Sequence, residues 1–451
     1  MSNALIRDKS FYLNIFTLTF PIMLQQLLRI SVNTVNSIML GGIDQLQMSA
    51  VSQADQVFFI FYTVCNGFAV GCCVLVAQYW GKGEPAEIRK VLSIVYRISV
   101  CISLLFSLGA LCCPEIIMSI FTNDAEVIAA GCRYLTVIGW VYPLYALGNN
   151  TIMLLRAVGT VRISLVVYST SFVVNAFFNW VFIFGNLGAP RLEIQGAALA
   201  TAIARVVEFL IVACFLFRRE HKIQFHLHDL RRFDRVMFGA FVRAATPIIF
   251  NDMIWAIGNS MITIIMGRMG KEFVAANSIN SVVMQFASVA LMGTSSAAAA
   301  IIGNTIGAGE YDRARDRART LMYIAAMIGV AAGVLIFTIR PFILGFYNIT
   351  EVTRGYAMSF MAITSVLVFF MAQSSVSMMG TLRGGGDGKF VMVIDVIFMW
   401  MICIPLGYIA GLRLGLAAPI VYFIIKCDEM IKSVIGAVRV YRGRWIRDMT
   451  V

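Results

Sequence analysis

The sequence contains a long internal repeat, in which residues 21–84 recur as residues 247–310. The two copies are 226 positions apart and align without a gap. Both begin at a proline inside an apolar run and end at a polar turn with the pattern Gly-x-Gly-Glu. The matched positions include Pro21 and Pro247, Asn33 and Asn259, Gly41 and Gly267, Ala50 and Ala276, and Glu84 and Glu310. A repeat of this length predicts a fold built from two similar halves.

A second pair of segments continues the repeat further along the chain. Leu155-Arg156-Ala157-Val158-Gly159 corresponds to Leu382-Arg383-Gly384-Gly385-Gly386, now 227 positions apart. Each half therefore has roughly 220 residues.

The composition places these halves in a membrane. Of the 451 residues, 59% are hydrophobic and only 13% are charged, and the mean hydropathy is +0.82. A water-soluble domain cannot bury that much apolar surface, so lipid has to cover it. The net charge of +12 suits basic cytoplasmic loops better than nucleic-acid binding, which we do not expect.

Twelve apolar runs are long enough to be membrane-spanning helices. They lie at about 12–40, 47–78, 88–112, 125–155, 160–186, 193–218, 240–268, 272–305, 312–346, 351–382, 389–411 and 415–441. We therefore predict an all-α integral membrane protein with twelve transmembrane helices in two parallel six-helix repeats.

The basic residues predict the orientation of these helices. Arg7, Arg89, Arg232 and the segment 313–319 fall in loops on the side that carries most of the positive charge. That side is expected to be cytoplasmic, together with both termini. Six spans per half return the chain to the same side, so the repeats are parallel. The predicted domains are an N-terminal lobe (1–217), a cytoplasmic linker (218–243) and a C-terminal lobe (244–451).

Two parallel six-helix repeats are typical of solute transporters that use alternating access. The sequence has no GxxxxGK[ST] phosphate-binding loop. We therefore expect an ion gradient to drive transport, and no bound cofactor.

Several motifs resemble the multidrug and toxic compound extrusion (MATE) family over nearly the whole chain. They are Pro21 with Val35-Asn36-Ser37-Ile38-Met39-Leu40-Gly41, Gln78-Tyr79-Trp80-Gly81-x-Gly83, Asn175-x-x-x-Asn179-Trp180, Gly196-Ala197-Ala198-Leu199-Ala200-Thr201, Gly303-Asn304-x-x-Gly307-Ala308-Gly309, and Leu382-Arg383-Gly384-Gly385-Gly386-Asp387. The resemblance implies a V-shaped pair of lobes in the bacterial plasma membrane. It also implies a monomer that exports amphipathic, often cationic compounds in exchange for H⁺ or Na⁺.

Two amides depart from the pattern of the family. The resemblance implies an acid at Asn36, and in some members a second acid at Asn179. Asn does not titrate near neutral pH, although its carbonyl oxygen can bind Na⁺. A mechanism that protonates the N-terminal half is therefore in question.

Three acids inside apolar runs are candidates for ion coupling, because a buried carboxylate in a membrane span is energetically unfavourable. Asp252 follows Pro247 by five residues, close to a position where the resemblance implies a glutamate. Asp395 precedes the aromatic stretch that ends at Trp400. Asp55 lies in the second run, where it could instead form a structural ion pair with Arg29. For each acid, a structural hydrogen-bonded role is the alternative.

Polar, aromatic and thioether side chains are candidates for a substrate or cation cavity. The asparagines are spaced to share a helix face, and methionine and tryptophan suit cationic ligands. Helix–helix hydrogen bonding and lipid packing are the alternatives. The candidates are Asn33, Asn36, Asn175, Asn179, Asn259, Met253, Trp255, Met284 and Gln285.

Three other functions compete with drug export. A flippase or exporter of a specific metabolite or lipid-linked precursor fits the same spans. A membrane enzyme would need converging catalytic groups, which the loop histidines His221, His226 and His228 lack. A non-transporting membrane protein fits the missing N-terminal acids. Two other acids, Glu208 and Asp428, lie late in each half and are expected to pair with Arg205 and Lys426 or to hold loops.

Overall fold

The computed structural model describes residues 6, 8–41, 45–231, 233–347 and 349–450, which are helical almost throughout and contain no β-strand. Arg7 and Arg232, two of the basic residues that predict the orientation, lie outside these residues. The α-helices are α1 (Lys9–Gly41), α2 (Gln45–Lys82), α3 (Pro85–Cys112), α4 (Pro114–Ser119), α5 (Ala125–Ile138), α6 (Tyr142–Ala157), α7 (Arg162–Phe184), α8 (Glu193–Arg218), α9 (Arg235–Arg268), α10 (Lys271–Gly307), α11 (Tyr311–Gly345), α12 (Glu351–Ser374), α13 (Gly388–Val396), α14 (Ile404–Tyr408), α15 (Ala418–Lys426) and α16 (Asp428–Arg442). Wider π-helical turns occupy Ser375–Leu382, Ile397–Cys403 and Ile409–Arg413.

Eleven segments of the described chain are long and apolar enough to cross a membrane, and they correspond to the first eleven predicted runs. The twelfth run, 415–441, is also helical, but it is divided into α15 and α16 at Cys427. The second of these helices begins with Asp428 and Glu429 and carries Lys432, so its mean hydropathy is lower than that of the other spans. The predicted all-α membrane fold is confirmed.

Equivalent turns follow α2 and α10, as the sequence repeat predicts. Gly83 and Gly309 have φ angles of 76° and 75°, a left-handed conformation that residues with a Cβ rarely adopt. The prolines of the repeat lie inside long helices, Pro21 in α1 and Pro247 in α9. The two halves therefore share their backbone geometry as well as their sequence pattern.

The chain forms two compact units. The N-terminal unit comprises residues 24–80 and 84–249, and the C-terminal unit comprises residues 1–23, 81–83 and 250–451. These boundaries differ from the predicted lobes, because α1 is divided after Met23 and α9 after Ile249. The two division points are 226 residues apart, so they are equivalent positions of the repeat.

Aromatic side chains fix the helices inside each unit. In the N-terminal unit, the Phe61 ring of α2 stacks on Tyr142 of α6 with 4.7 Å between the ring centroids. In the C-terminal unit, Phe360 of α12 packs between Phe273 of α10 (4.9 Å) and Tyr422 of α15 (4.4 Å). Such pairs stabilise the packing beyond the burial of their apolar area.

Candidate functional site

The C-terminal unit contains a buried ion pair between Asp252 of α9 and Arg383. The Nη2 atom of Arg383 donates to Oδ1 of Asp252 over 3.0 Å. The arginine side chain is 6% exposed and the aspartate side chain 19% exposed. Asp252 is therefore the partner of this pair that a small ion can reach more easily.

The turn that follows Arg383 is held by the C-terminal tail. Asp387 is fully buried, accepts a hydrogen bond from Arg439 of α16 (2.9 Å to Nη2) and forms an ion pair with Arg447 (2.8 Å). The indole of Trp445 is also fully buried and lies against Gly385, where a Cβ atom would overlap the ring. Gly385 is thus needed for close packing with the tail, and the turn is structural. It fixes the backbone from which Arg383 extends.

A second group of charges lies next to this pair. Nδ2 of Asn251 donates to Asp395 of α13 over 3.0 Å. The ammonium of Lys432 in α16 is 3.1 Å from Asp395 and 2.7 Å from Asp428. Because Asn251 and Asp252 are adjacent in α9, one turn of this helix contacts both groups. Two of the predicted coupling acids, Asp252 and Asp395, therefore belong to one network.

Acids outnumber bases in this network. A fourth carboxylate, that of Glu429, accepts a hydrogen bond from Ser374 and interacts electrostatically with Lys432. Against these four acids the described network has two cations, Arg383 and Lys432. A buried site with excess carboxylate attracts protons or small cations.

Two π-helical segments adjoin the network. Ser375–Leu382 leads directly to Arg383, and Ile397–Cys403 begins two residues after Asp395. Such turns are rare inside α-helices and often occur at functional sites.

The sequence did not predict every member of this network. Asp428 pairs with Lys432, so the predicted partner Lys426 was wrong; the spacing of four residues within α16 would have indicated the observed pair. Arg383 was recognised only as part of a repeated motif, in which it corresponds to Arg156. Asn251 carried no separate signal.

In the N-terminal unit, three of the predicted asparagines form an amide cluster. Nδ2 of Asn179 donates to Oδ1 of Asn36 (2.5 Å) and to Oδ1 of Asn175 (3.0 Å). Asn175 in turn donates to Thr201 of α8 over 3.3 Å. The Oδ1 atom of Asn179 is buried and accepts no hydrogen bond from the residues that the structure describes. The cluster therefore has one free carbonyl oxygen and no carboxylate.

The predicted pair between Asp55 and Arg29 is absent from the part of the chain that the structure describes. Arg29 donates to the Tyr62 hydroxyl over 2.7 Å and lies over its ring. Asp55 accepts a long hydrogen bond of 3.5 Å from Tyr134. The aromatic residues of α2 and α5 are thus the nearer partners. The other predicted pair, Glu208 with Arg205, is confirmed at 2.7 Å.

The remaining predicted cavity residues are dispersed along their helices. Met253 and Trp255 of α9 are 41% and 43% exposed, and Gln285 of α10 is exposed. Met284 and Asn259 are half-buried, and Asn33 is exposed one turn before Asn36. Their roles as cavity residues stay a prediction.

Comparison with known proteins agrees with this fold. The MatE family model matches residues 21–181 and 247–409. The chain is 23% identical to the uncharacterized transporter YisQ of Bacillus subtilis, covering 98% of this chain and 96% of the relative. It is 28% identical to the probable multidrug resistance protein NorM of Rhizobium meliloti, covering 86% and 83%.

Solved structures show the same fold. One described as the outward-facing conformation of a multidrug resistance MATE family transporter of the MOP superfamily gives a TM-score of 0.87. Its sequence is 18% identical, and 96% of each chain is covered. The family match identifies a multi-pass membrane transporter and not an enzyme. The chain belongs to the MATE family.

Proposed function

We propose that this protein is a secondary active exporter of amphipathic, cationic small molecules, driven by inward movement of H⁺ or Na⁺. The observation that carries the proposal is the acid-rich network of the C-terminal unit, in which Asp252 is partly accessible. The multidrug resistance proteins among its relatives support export of varied compounds.

Asp252 is the proposed coupling residue. Its carboxylate can bind a proton, a Na⁺ ion or a cationic substrate, and each of these competes with Arg383 for the same oxygen atoms. A carboxylate that exchanges one positive partner for another can link the entry of an ion to the release of a substrate. Asp395 is the proposed second acid, since Asn251 joins it to the same turn of α9.

The amide cluster of the N-terminal unit has a different proposed role. Because amides do not titrate near neutral pH, Asn36, Asn175 and Asn179 cannot carry the coupling proton. The free carbonyl oxygen of Asn179 can act as a Na⁺ ligand. The amide cluster is therefore assigned no part in proton coupling.

We also propose which residues contact the substrate and how the chain is oriented in the membrane. The proposed substrate contacts are Asn33, Asn259, Met253, Trp255, Met284 and Gln285. The protein is proposed to act as a monomer in the plasma membrane, with both termini in the cytoplasm. No bound cofactor is involved.

The test is uptake of a fluorescent organic cation into inside-out vesicles, with a pH gradient and a Na⁺ gradient imposed separately. Asp252→Asn should lower gradient-driven uptake by about tenfold or more, equivalent to about 1.4 kcal/mol. Asp124→Asn, the same change at the exposed N-cap of α5, is the matched control at equal expression and should retain at least about half of the uptake.

Two outcomes would contradict the proposal. If Asp252→Asn still couples, its carboxylate is structural. If neither gradient drives any of a broad panel of cations, a specific metabolite or a lipid-linked precursor becomes the better substrate class.

A further inference from the structure

The C-terminal unit contains a cleft of about 650 Å³ that the proposed function does not use. It lies between the last turns of α9 and the segment 404–413. Apart from two arginines, its lining is uncharged and mostly apolar, and Met261, Ile264 and Ile409 are exposed. Its volume lies within the range of small-molecule sites. The cleft therefore has room for a ligand with an apolar part.

The α9 side of the cleft is one face of an α-helix. Its lining residues lie at the spacing i, i+3, i+4 and i+7, namely Met261, Ile264, Ile265 and Arg268. The apolar residues precede the arginine, and the length of helix from Met261 to Arg268 is about 10 Å. This side is therefore an apolar wall with a cation at its end.

The opposite side of the cleft depends on a π-helical turn. Its lining residues recur every four positions from Ile404 to Leu412. An uninterrupted α-helix would turn about two and a half times between Ile404 and Arg413, which would direct the two side chains to opposite faces. The π-helical turn Ile409–Arg413 holds more residues than an α-helical turn, and Arg413 therefore stays in the cleft lining.

The two arginines bring positive charge to the same end of the cleft. Arg268 ends α9 and Arg413 ends the π-helical turn, and these are the seventh and eleventh candidate spans, which run in the same direction. Both side chains are exposed, and neither has a hydrogen bond or an ion pair within the described part of the chain. In the next loop, Lys271 and Glu272 lie 4.0 Å apart and offset each other. The two guanidinium charges are thus left unbalanced.

The internal repeat does not account for these charges. The residue 226 positions before Arg268 is Gly42, and the residue 227 positions before Arg413 is Asn186. The first half is therefore built without an arginine at either position. The pair belongs to the second half alone, and the duplicated framework does not require it.

We propose that the C-terminal unit binds one molecule of an anionic phospholipid in this cleft. The phosphate oxygens accept from the guanidinium groups of Arg268 and Arg413, which are suited to phosphate, and one acyl chain lies along the apolar wall of α9. The two unbalanced charges favour a headgroup with a net negative charge over a zwitterionic one. Asp252 precedes Arg268 by 16 residues, about 24 Å along α9, so this site is separate from the proposed coupling residue.

The test is photo-crosslinking of the full-length protein in phosphatidylcholine nanodiscs that contain a small fraction of phosphatidylglycerol with a diazirine in one acyl chain. Peptide mass spectrometry should find the label in residues 261–268 or 404–413, and unlabelled phosphatidylglycerol should displace it. Arg268→Gln and Arg413→Gln should each weaken this binding about fivefold, and the double variant about twentyfold or more, because each basic residue adds attraction to an anionic lipid.

The matched control is Arg354→Gln. Arg354 belongs to the same unit but lies outside the cleft lining and has an acid partner, Glu351, at 4.0 Å. This variant should retain labelling within about twofold of the wild type.

The headgroup and a soluble anion separate the possible ligands. A diazirine probe with a phosphatidylcholine headgroup should label the same peptides at least about fivefold less, and excess glycerol phosphate should not displace the anionic probe. The proposal is overturned if both headgroups label equally, if glycerol phosphate displaces the probe as well as the lipid does, or if the double variant labels like the wild type. Should the double variant fail to fold, the headgroup comparison on the wild-type protein remains decisive.

Discussion

Two equivalent arginines, Arg156 and Arg383, have different partners in the two halves of the chain. Arg383 pairs with the carboxylate of Asp252 at 3.0 Å, and Arg156 donates to the amide of Gln25 at the same distance. The two hydrogen bonds have the same length, but the acceptor is a charged carboxylate for Arg383 and a neutral amide for Arg156. Duplication has kept the position of the buried cation, while the residue that balances it has changed.

The same contrast extends to the neighbouring side chains. In the C-terminal unit, Asn251 donates to a carboxylate, whereas in the N-terminal unit Asn179 donates to two other amides. The first arrangement depends on ionised groups, and the second does not. One fold can thus hold a network of ionised side chains in one half and a cluster of neutral amides in the other.

The largest change in the free energy of unfolding is expected from removing the cation that two carboxylates share. Lys432→Met leaves Asp395 and Asp428 buried without their common partner. Breaking a buried ion pair in this way should lower the free energy of unfolding by about 3–5 kcal/mol. The measurement is thermal unfolding of the purified protein in detergent.

Lys426→Met is the matched control, since Lys426 has no ion pair among the described residues. Adding Asp428→Asn to Lys432→Met should restore part of the stability. Equal unfolding temperatures for the two lysine variants would show that the carboxylates do not depend on Lys432.

A change of the opposite sign is expected from placing an acid beside the arginine of the first half. Gln25→Glu gives Arg156 the acid that Arg383 already has, so the free energy of unfolding should rise by about 1.5–3 kcal/mol. Thermal unfolding measures this effect. In an Arg156→Gln background the same substitution should no longer stabilise the protein, which a double-mutant cycle would show. A stabilisation that persists without Arg156 would contradict the contrast between the halves.

Much of this fold could be predicted because the signals are repeated and periodic. The apolar runs and the 226-residue repeat predicted the helices, and Gly83 and Gly309 adopt the equivalent turns that the repeat predicts. The division of α1 and α9 between the two units could not be predicted, because hydropathy does not show which neighbours a helix contacts. The Gly384–Gly386 segment was recognisable as a turn, but the tail residue Trp445 that fills the space beside it was not.

The candidate site was harder to predict than the fold. Asp252 and Asp395 stood out as acids in apolar runs, and both belong to the network. Their partners were missed, because arginine and lysine near the end of a span also read as loop charges. Asp55 stood out for the same reason as Asp252, yet its nearest partner is a tyrosine. The charge of a residue was thus visible in the sequence, whereas the partner that decides its role depends on helix packing.

The smallest effect is expected in the amide cluster, where a matched pair of substitutions separates neutral from ionic contacts. Asn36→Ala removes one acceptor from Asn179, but the bond to Asn175 remains, so the loss should be at most about 1 kcal/mol. Asn251→Ala removes a donor from the carboxylate of Asp395 and should lower the free energy of unfolding by about 1.5–3 kcal/mol.

Driven uptake of a cation under a pH gradient should stay within about twofold of the wild-type rate for Asn36→Ala, because an amide carries no proton at neutral pH. A loss under a Na⁺ gradient alone would instead identify the cluster as a Na⁺ ligand, and equal losses under both gradients would remove the distinction between the two halves.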